Sequence, residues 1–528
     1  MPILQAARRV YHEHSDFVLF AVLFVAFRFM TLLLYRPGGF IADYSDYNTS
    51  YLPFAQWSDG GLYPFVHYWL EWPPLFAWWV VGIYRLSSLI PQWTDPRLWY
   101  NTFLGLSFLP FEIGNFVLVY LMGMELYDRT KALKCALIYA CLFAPVYVWS
   151  GWNDSVSLFF LLLGLYLLLR GRPFLAGITG GLGFWVKVIP ILLGPVGLRV
   201  LAGARRKVLF LIGLCVSAFV IALPFLWLNA RFLWAFFANL MGRSTWETVW
   251  ALLDGYYSYG VVTADRLTIP SDFTSHPSAL PWPVITAVFA LVLLWLYSRR
   301  VPYAQKLSTV ALSGLTINLF TLYSKGYSPQ FIVQLIPFAV LLLPSLKGIS
   351  YLILLDVMNF LEATVYFIIL PDERWLLVTT VLLRTLLIIA LSLEYGLILF
   401  DVRSARVTTL HRRASTALLV CIGVSLCGLI YPLGQAYISS RRQAEVHSPV
   451  SALVEMQSFP GGLAASGCPF QDVGITSATS ESHCGSWLRA SHPVSAVAHT
   501  STGEHAHGPE RHPFARGELY RYNANQQQ

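Results

Sequence analysis

Residues 43–79 read DYSDYNTSYLPFAQWSDGGLYPFVHYWLEWPPLFAWW, and how this stretch is placed decides the fold of everything around it. It is polar and crowded with aromatic residues, and it follows an apolar run from Phe17 to Tyr35 in a chain built mostly of apolar runs. Asp43, Asp46, Asp59 and Glu71 all fall within it. Carboxylates are costly in hydrocarbon, so a chain this apolar keeps such a group where water or a substrate meets it. The stretch therefore reads as the first extracytoplasmic loop of a membrane enzyme.

The composition agrees. Of 528 residues, 56% are hydrophobic and only 12% charged, far from a soluble domain. The net charge of +8 comes from Lys and Arg in short clusters between apolar runs. That pattern sets membrane orientation and does not suggest nucleic acid. The 17–35 run is long enough to span and has no small-residue cleavage site after it, so it reads as a first span and not as a signal peptide. Five of the seven cysteines (Cys135, Cys141, Cys215, Cys421, Cys427) sit in apolar runs, as expected of small buried side chains. Cys468 and Cys484 lie in the polar tail and can pair only if it faces an oxidising compartment.

With Arg8 and Arg9 cytoplasmic, the 43–79 loop falls outside. Pro74 to Leu89 is short, Trp-rich and interrupted by Arg85, and it reads as an interfacial helix. Spans are then expected over 101–126, 133–149, 156–169, 208–228, 284–297, 307–323, 331–346, 349–370, 375–400 and 414–437. The Gly-rich 174–200 run, broken at Lys187 and Pro190, reads as two half-spans. The expectation is an all-α polytopic bundle of about 13 crossings whose basic connectors lie inside. Residues 1–438 form this domain. Residues 439–528, rich in Ser, Ala, Gly and His, are an extracytoplasmic tail, either a small domain or disordered.

Charged and polar groups cluster at the expected outer ends of the spans: Asp43 and Asp46, Glu71 in LEWPP, Asp154 in GWNDS, Lys187 in FWVKVIP, and Lys325, Tyr327 and Gln330 in SKGYSPQF. Sugar transfer from a lipid-linked sugar phosphate needs one base to take the acceptor proton. The leaving phosphate needs positive charge and no acid. Asp46 is the expected base, with Asp43 orienting the acceptor or raising its neighbour's pKa. Helix capping is the alternative for these aspartates and for Asp154, and lipid-edge snorkelling for Lys187. Glu71 fits loop fixing better than reaction. The chemistry calls for no metal and no cofactor.

In order, YSDY, LEWPPLFAW, GWNDSVSLFF and FWVKVIPILLGP resemble the GT-C superfamily of polyprenyl-phosphate-sugar glycosyltransferases. The nearest likeness is to the dolichyl-phosphate-glucose glucosyltransferases and related prokaryotic mannosyltransferases. The resemblance implies a catalytic aspartate at Asp46, an acidic loop residue at Glu71 and a donor-binding lysine at Lys187. It also implies a polyprenyl-phosphate-linked donor, a lipid-linked or protein glycan acceptor, and a plasma or endoplasmic reticulum membrane with an extracytoplasmic site. Glu71–Trp72 stands where the family has Asp–Tyr, and Ser324–Lys325–Gly326 where the eukaryotic members have His–Glu–Lys. A multi-span transporter or lipid-linked oligosaccharide flippase is the alternative. It should carry charge near the midplane and some repeat symmetry, whereas the acids here concentrate at one expected face and no repeat is apparent.

Overall fold

The computed structural model describes residues 11–32, 45–91, 97–262, 265–301, 303, 305–402 and 404–446. Asp43, Cys468, Cys484 and nearly all of the expected tail lie outside the described residues. The regular structure is helical; among the described residues there is no strand, only isolated bridges between Pro64 and Tyr68 and between Trp246 and Gly326.

Among the described residues, five helices are long and apolar enough to cross a membrane: Arg97–Leu126, Ala204–Gly242, Leu346–Ile369, Arg374–Leu399 and Ala405–Arg442. A sixth span is possible if Arg129–Cys141 and Phe143–Trp149, bent by 57° at their junction, count as one. Shorter apolar helices cover Asp154–Leu169, Pro173–Phe184, Ile189–Val200, Trp282–Ser298 and Pro329–Leu342. The larger expected number of crossings depends on these shorter pieces. The outer surface explains the composition. On helix Trp282–Ser298 only Leu296 is buried, and Trp227 on helix Ala204–Gly242 is 86% exposed. Apolar surface on this scale is stable only where lipid covers it, so the chain is read as a membrane protein.

Several boundaries differ from the sequence reading. The long loop expected from Asn229 begins only after Gly242, because helix Ala204–Gly242 kinks at Asn229 (φ −161°, ψ 80°) and continues. The Asn229 amide donates to the Val66 carbonyl at 3.2 Å, a bond that holds the kink against the 43–79 stretch. The last helix runs on to Val446. Of the five cysteines, only Cys135 is buried; Cys141, Cys215, Cys421 and Cys427 are exposed on the outside of the helices. Charge also enters the bundle, contrary to expectation. Buried Arg28 and Glu112 pair at 3.3 Å, with Tyr139 donating to the same carboxylate at 3.1 Å, and Arg384 pairs with Glu362. In both pairs the opposite charges offset the cost of burial.

The Gly-rich run forms short helices on either side of a break: Pro173–Phe184, then Ile189–Leu192 and Leu193–Val200. The first half packs closely on helix Ala204–Gly242 through Gly177, Gly181 and Gly213. A methyl on Gly213 would overlap the Phe174 carbonyl, and one on Gly177 the Phe210 carbonyl. Small residues at such crossings let two backbones touch in lipid. Gly213→Val should therefore lower the melting temperature in detergent, by overpacking worth about 1–3 kcal/mol. Gly423→Ala, where nothing lies within 4 Å, should leave it unchanged or raise it. Equal melting of the two variants would show that this crossing is loose.

Candidate functional site

The Pro190 ring has no N–H, so it cannot bond the Val186 carbonyl four residues back. That carbonyl instead accepts from the Asn153 amide at 3.3 Å, which ties the break in the Gly-rich run to the GWNDS turn. Lys187, in the break, reaches across to Asp154. Its Nζ lies 2.7 Å from both carboxylate oxygens, and Asp154 is fully buried at the first turn of helix Asp154–Leu169, where the helix dipole also favours a negative charge. The ammonium also lies 4.4 Å from the Phe331 ring centre, and Gln334 donates to the Asp154 carbonyl at 3.1 Å. The expected N-cap role falls to neither Asn153 nor Asp154: no side chain caps this helix, and the Asp154 carboxylate serves the ion pair. Asn153, also the start of a sequon, is buried and bonded within the fold.

Asp46 reaches the same place from the 43–79 stretch. It precedes a wide helical turn, Tyr47–Tyr51, of the kind that recurs at functional sites. Both tyrosines turn inward. Tyr47 donates to the Trp149 carbonyl at 3.1 Å, and the Tyr51 hydroxyl stands 3.4 Å from both an Asp46 oxygen and the Asn153 side-chain oxygen. Gly151 makes this approach possible, since a Cβ there would stand 2.7 Å from that of Ser45. Asp46 keeps part of its surface open, yet the surrounding protein pushes its carboxyl up to about 7. Burial is the main cause. Lys187 and the Tyr51 hydroxyl pull the value down, and Asp154 and Glu71 push it up.

Glu71 is held by Arg266 at 3.1 Å, and Trp69 bonds the same segment through its backbone N–H to the Arg266 carbonyl (3.0 Å) and its ring N–H to Thr268 (2.9 Å). Glu71 is thus tied by Arg266 to the 266–268 segment.

Lys325 stands apart from this group. Its Nζ donates to the Met241 and Arg243 carbonyls at 3.0 and 3.1 Å, closing the end of helix Ala204–Gly242, and burial lowers its pKa. The structure makes it a helix-end tie, away from the Lys187–Asp154 pair. Tyr327 is buried beneath the Arg384 guanidinium at 3.7 Å, and Gln330 is half-buried in the turn Pro329–Gln334. Phe331 and Gln334 meet the ion pair in their place. In a 3₁₀ turn residues three apart share one face, so the spacing was readable once the turn type was known. Arg266 had no such signal.

Tyr327, Glu247 and Arg384 line a cavity of about 250 Å³ together with three threonines, Thr248, Thr321 and Thr385, and the apolar side chains of Val249, Trp250, Phe289, Leu322, Ile388 and Ile389. Among the described residues no three His, Cys, Asp or Glu side chains converge as a metal site.

Residues 68–324 match the model of GT87, glycosyltransferase family 87. The match includes Glu71, Asp154 and Lys187 and begins after Asp46. It supports a glycosyltransferase. A solved structure, the Archaeoglobus fulgidus oligosaccharyltransferase in complex with Zn and sulfate, is similar at 16% identity and a TM-score of 0.30, covering 79% of this chain and 52% of that one. The chain thus spans about half the length of that protein. No curated protein matches.

Proposed function

We propose that this membrane protein is an inverting glycosyltransferase that moves a hexose from a polyprenyl-phosphate-linked donor to an acceptor on the extracytoplasmic side. Asp46 acts as general base. One observation carries the reading: Asp46 is a carboxylate with no cation bonded to it among the described residues, partly open, with a pKa brought to about 7. A base is most useful when its pKa lies near the working pH.

In the proposed step, the acceptor hydroxyl gives its proton to Asp46 as its oxygen attacks the anomeric carbon. The bond from that carbon to the phosphate oxygen breaks, and the electron pair leaves with the phosphate. Asp43, outside the described residues, stays a candidate for orienting the acceptor. Lys187 and Asp154 form a neutral pair beside Asp46 and tune its basicity, Lys187 lowering the pKa and Asp154 raising it. The cavity, whose lining includes Val249, Trp250, Phe289, Leu322, Ile388 and Ile389, is the place for the isoprenoid tail, and Tyr327 in the same lining is coupled electrostatically to Asp154. The glycan acceptor, the hexose and the host membrane follow from the family resemblance.

A pH profile tests the base directly. Asp46 must be ionised to accept a proton, so kcat/KM should rise with pH through about 7 and level off above it. The stability sign is the opposite. Burial favours the neutral acid, so this group's contribution falls as pH rises from the ordinary aspartate range through 7. Asp46→Asn should therefore be at least as stable as the wild type at alkaline pH. A kcat/KM profile flat between pH 5.5 and 8.5 with a polyprenyl-phosphate hexose donor would remove Asp46 as the base.

A further inference from the structure

Among the described residues, Asp46 is coupled electrostatically to Lys187, Asp154 and Glu71, and Glu71 in turn to Arg243. Lys187 pairs with Asp154 at 2.7 Å and Arg266 with Glu71 at 3.1 Å. Asp46 and Arg243 enter no ion pair among the described residues, and Lys325, beside Arg243, is taken up by two backbone carbonyls.

Arg243 follows directly on helix Ala204–Gly242, and its carbonyl is held by the Lys325 ammonium at 3.1 Å. Its guanidinium carbon lies over the Trp246 ring, 4.0 Å from the centre. A cation placed on a ring face keeps N–H groups available to bond an anion. Among the described residues the guanidinium has no carboxylate or carbonyl partner, and its buried Nε has no acceptor. Glu71 is coupled electrostatically to both Arg243 and Asp46 and so links the two. Burial pushes the Arg243 pKa down to about 10, so the group stays charged at neutral pH. A desolvated cation without a counter-ion is costly, and an incoming anion would relieve that cost.

We propose that Arg243 is the residue that binds the donor phosphate and holds it as it departs, so that the two unpaired charges of the site serve the two ends of one displacement. This rests on the polyprenyl-phosphate reading above. When the anomeric C–O bond breaks, its electron pair goes to the phosphate oxygen, and the added negative charge meets the guanidinium fork through two parallel N–H···O bonds. The acceptor proton goes to Asp46. Lys187, neutralised by Asp154, supplies little net charge to the phosphate.

Binding of farnesyl phosphate and of farnesol to the detergent-solubilised full chain separates the possibilities. Wild type should prefer farnesyl phosphate. Arg243→Gln should weaken farnesyl phosphate by about ten- to hundredfold, the worth of a charged hydrogen-bonded contact, and leave farnesol unchanged. Arg243→Lys keeps the charge and part of the stem over Trp246, and should recover some of the loss. Unchanged farnesyl phosphate affinity in Arg243→Gln would overturn the proposal. So would Arg243→Lys binding as weakly as Arg243→Gln, since charge would then not be what the ligand uses. A wild type that binds the two probes equally would instead strike at the phosphate-donor reading itself.

Discussion

Asp46→Asn is expected to lower transfer from a polyprenyl-phosphate hexose donor by about 10²–10⁴-fold, the usual contribution of a positioned general base, while protein level and melting temperature hold. The amide is nearly the same size and can still bond the Tyr51 hydroxyl, which stands 3.4 Å from the carboxylate. It cannot take the proton. Because burial disfavours the charged form of Asp46, the variant loses no folded-state ion pair, and a large activity loss with intact folding isolates the chemical role. Turnover within tenfold of wild type would mean that the acceptor proton leaves by another route.

Lys187→Met carries the second large effect, and its cause differs from the one the sequence suggested. An isolated lysine in an apolar run reads as a donor-binding cation whose loss raises donor KM. In the fold it neutralises a carboxylate that is fully buried, with both oxygens 2.7 Å from its ammonium. Removing one member of such a pair costs about 3–5 kcal/mol, because the other charge is left uncompensated. The variant should therefore melt far below wild type in detergent. Lys187→Met with Asp154→Asn should recover most of the loss, the non-additivity expected of two contacting groups. In whatever Lys187→Met protein remains folded, the acid limb of kcat/KM should move above pH 7, since Lys187 holds the Asp46 pKa down. Wild-type melting of the single variant would mean the pair is not formed in solution.

Much was legible along the chain. The apolar runs, the polar insert after the first of them and the break at Pro190 are local, because span length, hydropathy and a missing N–H are properties of consecutive residues. The short helices Pro173–Phe184 and Ile189–Val200 appeared where proline and glycine required them. Lys325 misled for the same reason: a lysine in a turn looks like an exposed charge, and only the nearby end of helix Ala204–Gly242 turns it into a tie on two carbonyls. Cys141 and Cys215 misled in the opposite sense, since an apolar run does not say which of its faces meets protein and which meets lipid.

By itself, then, the sequence determined that this chain lives in a membrane and which residue types its connecting segments bring to the surface. The tertiary structure alone decided which charges cancel. Lys187 meets Asp154 across 33 positions and Arg266 meets Glu71 across 195, and among the described residues neither Asp46 nor Arg243 enters an ion pair. Hydropathy and helix breaking act between neighbours in the chain, but the energy of a charge depends on its distance in space to every other charge, and that distance exists only after the helices have packed.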